Sequence, residues 1–78
     1  MKIYNIKDAK RFFEKLAKCD GDVEVVNEKG MHISLFDNDR KNLEAVAASY
    51  AKGKIDELEL CFVKPKDSIM MLEYLVAI

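Results

Sequence analysis

Lys29-Gly30-Met31-His32-Ile33-Ser34-Leu35-Phe36 is a short apolar run entered through a glycine. Which of its side chains look inward decides how the rest of the chain is read. On a strand, residues two apart share a face, and a slip of one residue reverses every side chain. One set here is Met31, Ile33 and Leu35; the other is His32, Ser34 and Phe36. The first set is the more apolar, so it is expected beneath a covering layer of helices, with the second turned outward. Upstream, Asp22–Asn27 is rich in valine and reads as a strand, and Glu28-Lys29-Gly30 reads as a tight turn. Two β-prone runs joined by a short glycine-bearing turn make an antiparallel hairpin, with Met31–Phe36 as its return strand.

Ahead of the hairpin, Ala9, Phe12, Phe13, Leu16 and Ala17 fall at i, i+3, i+4, i+7 and i+8, one stripe of a helix. Asn5 is placed to cap that helix, with Asp8 three residues on where a capping box wants a carboxylate. Asp20-Gly21 is placed to end it, the glycine supplying a positive φ. Lys2–Asn5 is a short β-prone start. After the hairpin, Asp37-Asn38-Asp39 offers cap oxygens to a second helix with the stripe Leu43, Val46, Ala47, Tyr50 and Ala51, closed by Gly53. In the following run Leu58, Leu60 and Phe62 alternate with Glu57, Glu59 and Cys61, a period-2 strand that Pro65 stops because it cannot donate to a ladder. Asp67 or Ser68 caps a last helix running to Ile78. The order βαββαβα predicts an α+β fold, an open-faced α/β sandwich in which a four-stranded antiparallel sheet carries its helices on one face.

All 78 residues fit one domain. Half are apolar and 35% charged, with three glycines and one proline, a folded rather than a disordered composition. The strongly apolar run Ile69–Ile78 is too short to span a bilayer, so no membrane association is expected. The N-terminal stretch has no uncharged segment of secretory length, so a cytoplasmic location is expected. Cys19 and Cys61 share no metal-like spacing and are expected as reduced, half-buried thiols. The net charge of −1 argues against a general nucleic-acid or membrane binder.

The run at Lys29–Phe36 resembles the RNP1 strand of RNA-recognition motifs, which reads K/R-G-F/Y-G/A-F-V-x-F/Y. In RNP1 the third and fifth positions are aromatics that stack on bases. Here they are Met31 and Ile33, with no flat π surface and an inward parity. Nucleic acid is therefore not an expected partner.

The same parity puts Glu24, Val26, His32, Ser34, Phe36, Glu59, Cys61 and Val63 on the outward sheet face, joined by Tyr4. Of these, Tyr4, Glu24, Val26, His32, Phe36, Glu59, Cys61 and Val63 form a candidate interaction face. His32 is the single histidine, with Glu24 or Glu59 as a cross-strand partner. One histidine supplies no metal cluster, and no second group completes a catalytic set with it. No glycine-rich loop precedes a helix in phosphate-binding style. No catalytic residue, metal or cofactor is therefore assigned.

The last helix is apolar nearly all round, whereas a helix packing on one sheet needs an apolar stripe about 100° wide. With Ile69, Leu72 and Val76 facing inward, Met70, Tyr74 and Ala77 are left as a candidate homodimer surface. Charge also segregates. Lys7, Lys10, Arg11, Lys15 and Lys18, then Arg40, Lys41 and Lys52, fall in or beside the two earlier helices, while the strands and turns are acidic.

Asp8-Ala9-Lys10-Arg11-Phe12 stands where HPr phosphocarriers carry H-A-R-P-A at the start of their first helix. The following FFEKLAKCDGDVEVV is similar to the helix-to-strand passage of divergent HPr-related proteins of Gram-positive bacteria. The resemblance covers residues 3–36. It implies the phosphocarrier fold, with a protein-docking region at Asp8, Lys10, Arg11 and Arg40. Asp8 replaces the phosphorylated histidine and Lys10 the arginine, and Asp37-Asn38-Asp39-Arg40 lacks the family's regulatory serine. The resemblance therefore implies a docking scaffold from which phosphotransfer is lost. A relative that uses Asp8 as its phosphoryl acceptor is the enzyme-class alternative. A ferredoxin-like, self-associating module with an added C-terminal helix explains the element order equally well.

Overall fold

The computed structural model describes residues 1–50 and 52–77. Its elements are β1 (Lys2–Ile6), α1 (Ala9–Leu16), β2 (Val23–Val26), β3 (His32–Ser34), α2 (Asp37–Ser49), β4 (Ile55–Phe62) and α3 (Pro65–Ala77), in the order read from the sequence. The sheet runs β1-β4-β2-β3, and every neighbouring pair is antiparallel. Ala51, in the α2 stripe, and Ile78, at the end of the last helix, lie outside the described residues.

One apolar cluster joins Ile3, Val23, Val25, Ile55, Leu58 and Leu60 of the sheet to Phe12 and Leu16 of α1, Leu43 of α2 and Met71 of α3. Helices and sheet therefore share a single core on one sheet face. Phe12, Leu16, Leu35, Ile55, Leu60, Met71 and Val23 are completely enclosed, and each such side chain contributes roughly 1.5–3 kcal/mol over an exposed one. Phe13 packs edge-on to Phe12 and stacks on Tyr50, with ring centroids 6.0 Å apart in the second pair. That contact joins α1 to the end of α2.

Register fixes the hairpin's parity. Val25 lies opposite both Ile33 and Leu60, so Ile33 looks toward the helices, as expected. Only Leu35 of the expected inward set is sealed, at 0% exposure. Ile33 is 36% and Met31 58% exposed. The parity is right and the burial is not, because β3 is a three-residue edge strand. α2 begins over Leu35, where the Leu43 N–H donates to the Leu35 carbonyl at 3.1 Å, and leaves the other end uncovered. Phe36 lies beyond the strand rather than on its outward face. It is half-buried against the core at the N-cap of α2.

The chain also ends its elements differently from the sequence expectation. Asn5 is not a helix cap. It lies within β1 at φ 56°, and this left-handed turn, which asparagine tolerates, returns Ile6 to the buried face of Ile3. Asp8 caps α1 instead, its Oδ1 accepting the Arg11 N–H at 3.0 Å. α1 stops at Leu16, well before Gly21, and Gly21 has no positive φ. Asp37-Asn38-Asp39 gives no side-chain cap to α2. Asn38, Asp39 and Arg40 form a left-handed turn with φ of 56°, 55° and 64° before the regular helix. Gly53 does close the α2 segment at φ 85°, donating to the Tyr50 carbonyl at 2.9 Å. α3 begins at Pro65, so Asp67 sits inside its first turn and neither Asp67 nor Ser68 precedes it as a cap.

Asp67 has a different task. It is 3% exposed, and its carboxylate accepts the Asp20 N–H at 3.1 Å and the Gly21 N–H at 2.8 Å. This clamp ties α3 to the loop between α1 and β2. A Cβ on Gly21 would lie 2.7 Å from Lys64 Cγ and 3.3 Å from an Asp67 oxygen, so close approach explains the glycine. Asp20 and Lys66 pair on the surface beside it.

Candidate interaction surface

The outward sheet face carries most of the residues expected there. Glu24 lies opposite Cys61 and Ser34, and Val26 opposite Glu59 and His32. Tyr4, His32 and Val63 are exposed, while Glu24, Val26, Glu59 and Cys61 are half-buried. His32 Nδ1 meets Glu24 Oε1 at 3.0 Å, the cross-strand pair the sequence suggested. Both side chains are open to water, so the pair is screened and of small energetic weight. Ser34 Oγ donates to the Asp22 carboxylate at 2.7 and 2.8 Å, and Asp22 also accepts the Val23 N–H. That hydroxyl is held by the Asp22 carboxylate, while His32 bonds to Glu24. Among the described residues, no three His, Cys, Asp or Glu side chains are grouped to hold a metal ion.

Cys19 and Cys61 are both free thiols. Cys19 is buried in the helix-side core, whereas Cys61 sits on the outward face, the reverse parity of Leu60. The sheet therefore separates them. Burial, and after it the Asp67 and Asp20 carboxylates, push the Cys19 thiol up to about 11. It stays a neutral, unreactive packing group at neutral pH.

The residues that the HPr resemblance groups together are divided by α1. Asp8, Lys10 and Arg11 are exposed at its start. Arg40 lies at its end, where its guanidinium donates to the Ala17 carbonyl at 2.7 Å and covers the Phe36 ring at 4.4 Å. At ~1.5 Å per residue the two ends of this segment are roughly 13 Å apart. They do not make one cluster, and Arg40 serves to fasten the α2 entry to α1.

The orientation of α3 is the reverse of the one expected. Met71 is its buried anchor, and Met70, Tyr74 and Leu75 pack partly against the core. Ile69, Leu72 and Val76, expected inward, are 55%, 48% and 84% exposed. Of the candidate dimer residues, only Ala77 is exposed, and Met70 and Tyr74 are half-buried. The clamp through Asp67 sets this rotation, because Met71 lies one turn beyond it on the same side of the helix. A helix apolar all round gave no sequence signal for that choice. The one available hint was the acidic residue at the head of the stripe Asp67, Met71, Tyr74.

A groove of about 540 Å³ runs along β1 beside the end of α3. Ile3, Ile6, Leu72 and Leu75 line it with apolar surface, and Lys2, Lys7 and Arg11 line it with positive charge. A second groove, about 880 Å³, lies between the hairpin and the end of α2, with Met31, Val46 and Tyr50 on its walls. No helix among the described residues is long and apolar enough to cross a membrane. No family model matches the chain, and neither a curated protein nor a solved structure matches it.

Proposed function

We propose that this chain is a small, cytoplasmic, non-catalytic docking domain of HPr-like type that acts by contact with another polypeptide. The observation that carries the reading is the exposed stripe Ile69, Leu72 and Val76 on α3. Leu72 lines one groove with Tyr4 of an edge strand, and among the described residues all three side chains of the stripe stay open to solvent. Apolar side chains scattered singly over a surface are ordinary, but a contiguous row along one helix favours a contact site. The element order, with helices over one sheet face, supports the HPr-like description. Loss of phosphotransfer is supported at Asp8, whose carboxylate oxygen accepts the Arg11 N–H as a helix cap.

Two measurements test this reading. Incubation with phosphorylated enzyme I should leave the chain unlabelled, and label that an Asp8→Ala variant loses would restore the phosphocarrier alternative. Tagged wild-type chain and a Leu72→Asp, Val76→Asp variant should differ in the polypeptides they retain from the native cell. Equal recovery by two folded proteins would contradict docking through α3.

A further inference from the structure

We propose that the free edge of β1 takes an extended, acidic segment of a partner polypeptide as an additional strand. This rests on the docking reading and names the partner's chemistry. β1 has β4 on one side only. Among the described residues, no backbone group of another segment bonds to its other edge. An open edge of this kind is where an incoming strand gains main-chain hydrogen bonds, with alternate side chains filling pockets beside it. The groove along β1 supplies such pockets in Ile3, Leu72 and Leu75.

Charge selects the occupant. Lys2, Lys7 and Arg11 line the groove with a single carboxylate, Asp8, which already caps α1. The strand that β1 holds on its inner edge shows what suits it. Lys2 lies opposite Glu59, Tyr4 opposite Glu57 and Ile3 opposite Leu58, so β1 pairs with an alternation of acidic and apolar residues. An outer strand of the same alternation would place its apolar side chains on the Ile3 side of the groove and its carboxylates on the side of Lys2, within the positive field of Lys7 and Arg11. The β1 strand of a second copy does not fit, because it would bring Lys2, Lys7 and Arg11 of both copies to one seam. The left-handed Asn5 interrupts β1, so the docked segment is short, centred on Lys2–Tyr4.

The test is a titration, followed by backbone amide shifts, with a short end-blocked peptide alternating valine and glutamate. Three controls accompany it: the valine–lysine counterpart, a valine–glutamate peptide N-methylated at alternate residues, and a single-stranded oligonucleotide. Saturable binding with shifts concentrated at Lys2–Ile6 is expected. A Lys7→Glu, Arg11→Glu variant, substituted at two exposed positions, should retain its melting curve and bind about tenfold more weakly, as should wild type in high salt. Absence of saturation, equal binding of the lysine or N-methylated peptide, tighter binding of the oligonucleotide, or shifts confined to the outward sheet face would each overturn the proposal. Concentration-dependent growth in scattering without peptide would overturn it in favour of self-pairing. If the peptide fails while partner recovery still depends on Leu72 and Val76, only this inference falls. If recovery does not depend on them either, the docking reading falls with it.

Discussion

Asp67 carries the only carboxylate buried among the described residues, and its two backbone N–H donors explain why the fold accepts it. Hydrogen bonds to a charged acceptor contribute about 1.5–3 kcal/mol each, and removing the acceptor leaves the donors unsatisfied. Asp67→Ala is therefore expected to lower the unfolding free energy by about 3 kcal/mol in urea titrations. Asp67→Asn, which keeps one acceptor oxygen, should cost less. Cys19 stands against the same clamp. Its thiol keeps its proton up to about 11 when folded, against an ordinary value of 9.0. Over that interval the unfolded chain releases a proton that the folded chain retains, so the associated stability is full below the lower value and lost as pH rises through the upper. Urea midpoints measured across this alkaline range should fall more steeply for wild type than for Cys19→Ala. Parallel slopes would contradict the assignment. At this scale the sequence was partly legible. The alternation of Met31, Ile33 and Leu35 gave the direction of Ile33 and the burial of Leu35, while Met31 lies ahead of the strand and is exposed. Their burial depended on how far α2 reaches over an edge strand, a tertiary fact with no local signal.

Among the elements, α1 was the clearest, because its apolar residues form one narrow stripe and leave a single way to pack. Its cap is Asp8, three residues beyond Asn5. Asn5 and Asp8 both carry cap-forming side chains, and the choice turned on β1 extending to Ile6. Asp8→Ala should destabilise the fold by about 1 kcal/mol, the usual cost of a lost N-cap, measurable in thermal or urea unfolding. For α3 the hydrophobic pattern offered several equivalent rotations, and the one adopted is set by Asp67, a polar residue outside that pattern. Met71→Ala should accordingly cost about 2–5 kcal/mol by opening a cavity, whereas Leu72→Ala should stay within about 0.5 kcal/mol. The reverse ranking would mean that the helix is rotated. The left-handed turn at Asn38, Asp39 and Arg40 was not foreseen either. A run of Asp and Asn reads equally well as a cap or as a turn, since both residue types favour each.

For the whole molecule, the charge segregation along the chain is carried into space only in part, because Glu14 and Glu44 are exposed on the helices and Lys2 lies opposite Glu59 on the sheet. Exposed Lys10, Arg11, Lys18 and Lys41 lie on the helical side, and Glu24, Glu57 and Glu59 lie on the sheet side. The fold class followed from element order, since sequential packing and right-handed crossovers leave few sheets compatible with βαββαβα. The candidate surface did not follow, because which apolar residues remain uncovered is settled only after all three helices have docked. α3 presents Leu72 and Val76 outward while Met71 closes the core, and docking through this helix requires that rotation. Hydroxyl-radical footprinting of the native chain tests that directly. It should label Leu72, Val76 and Met31 readily and leave Met71 unmodified until the protein unfolds. Labelling of Met71 at the rate of Met31, with Leu72 and Val76 silent, would contradict it.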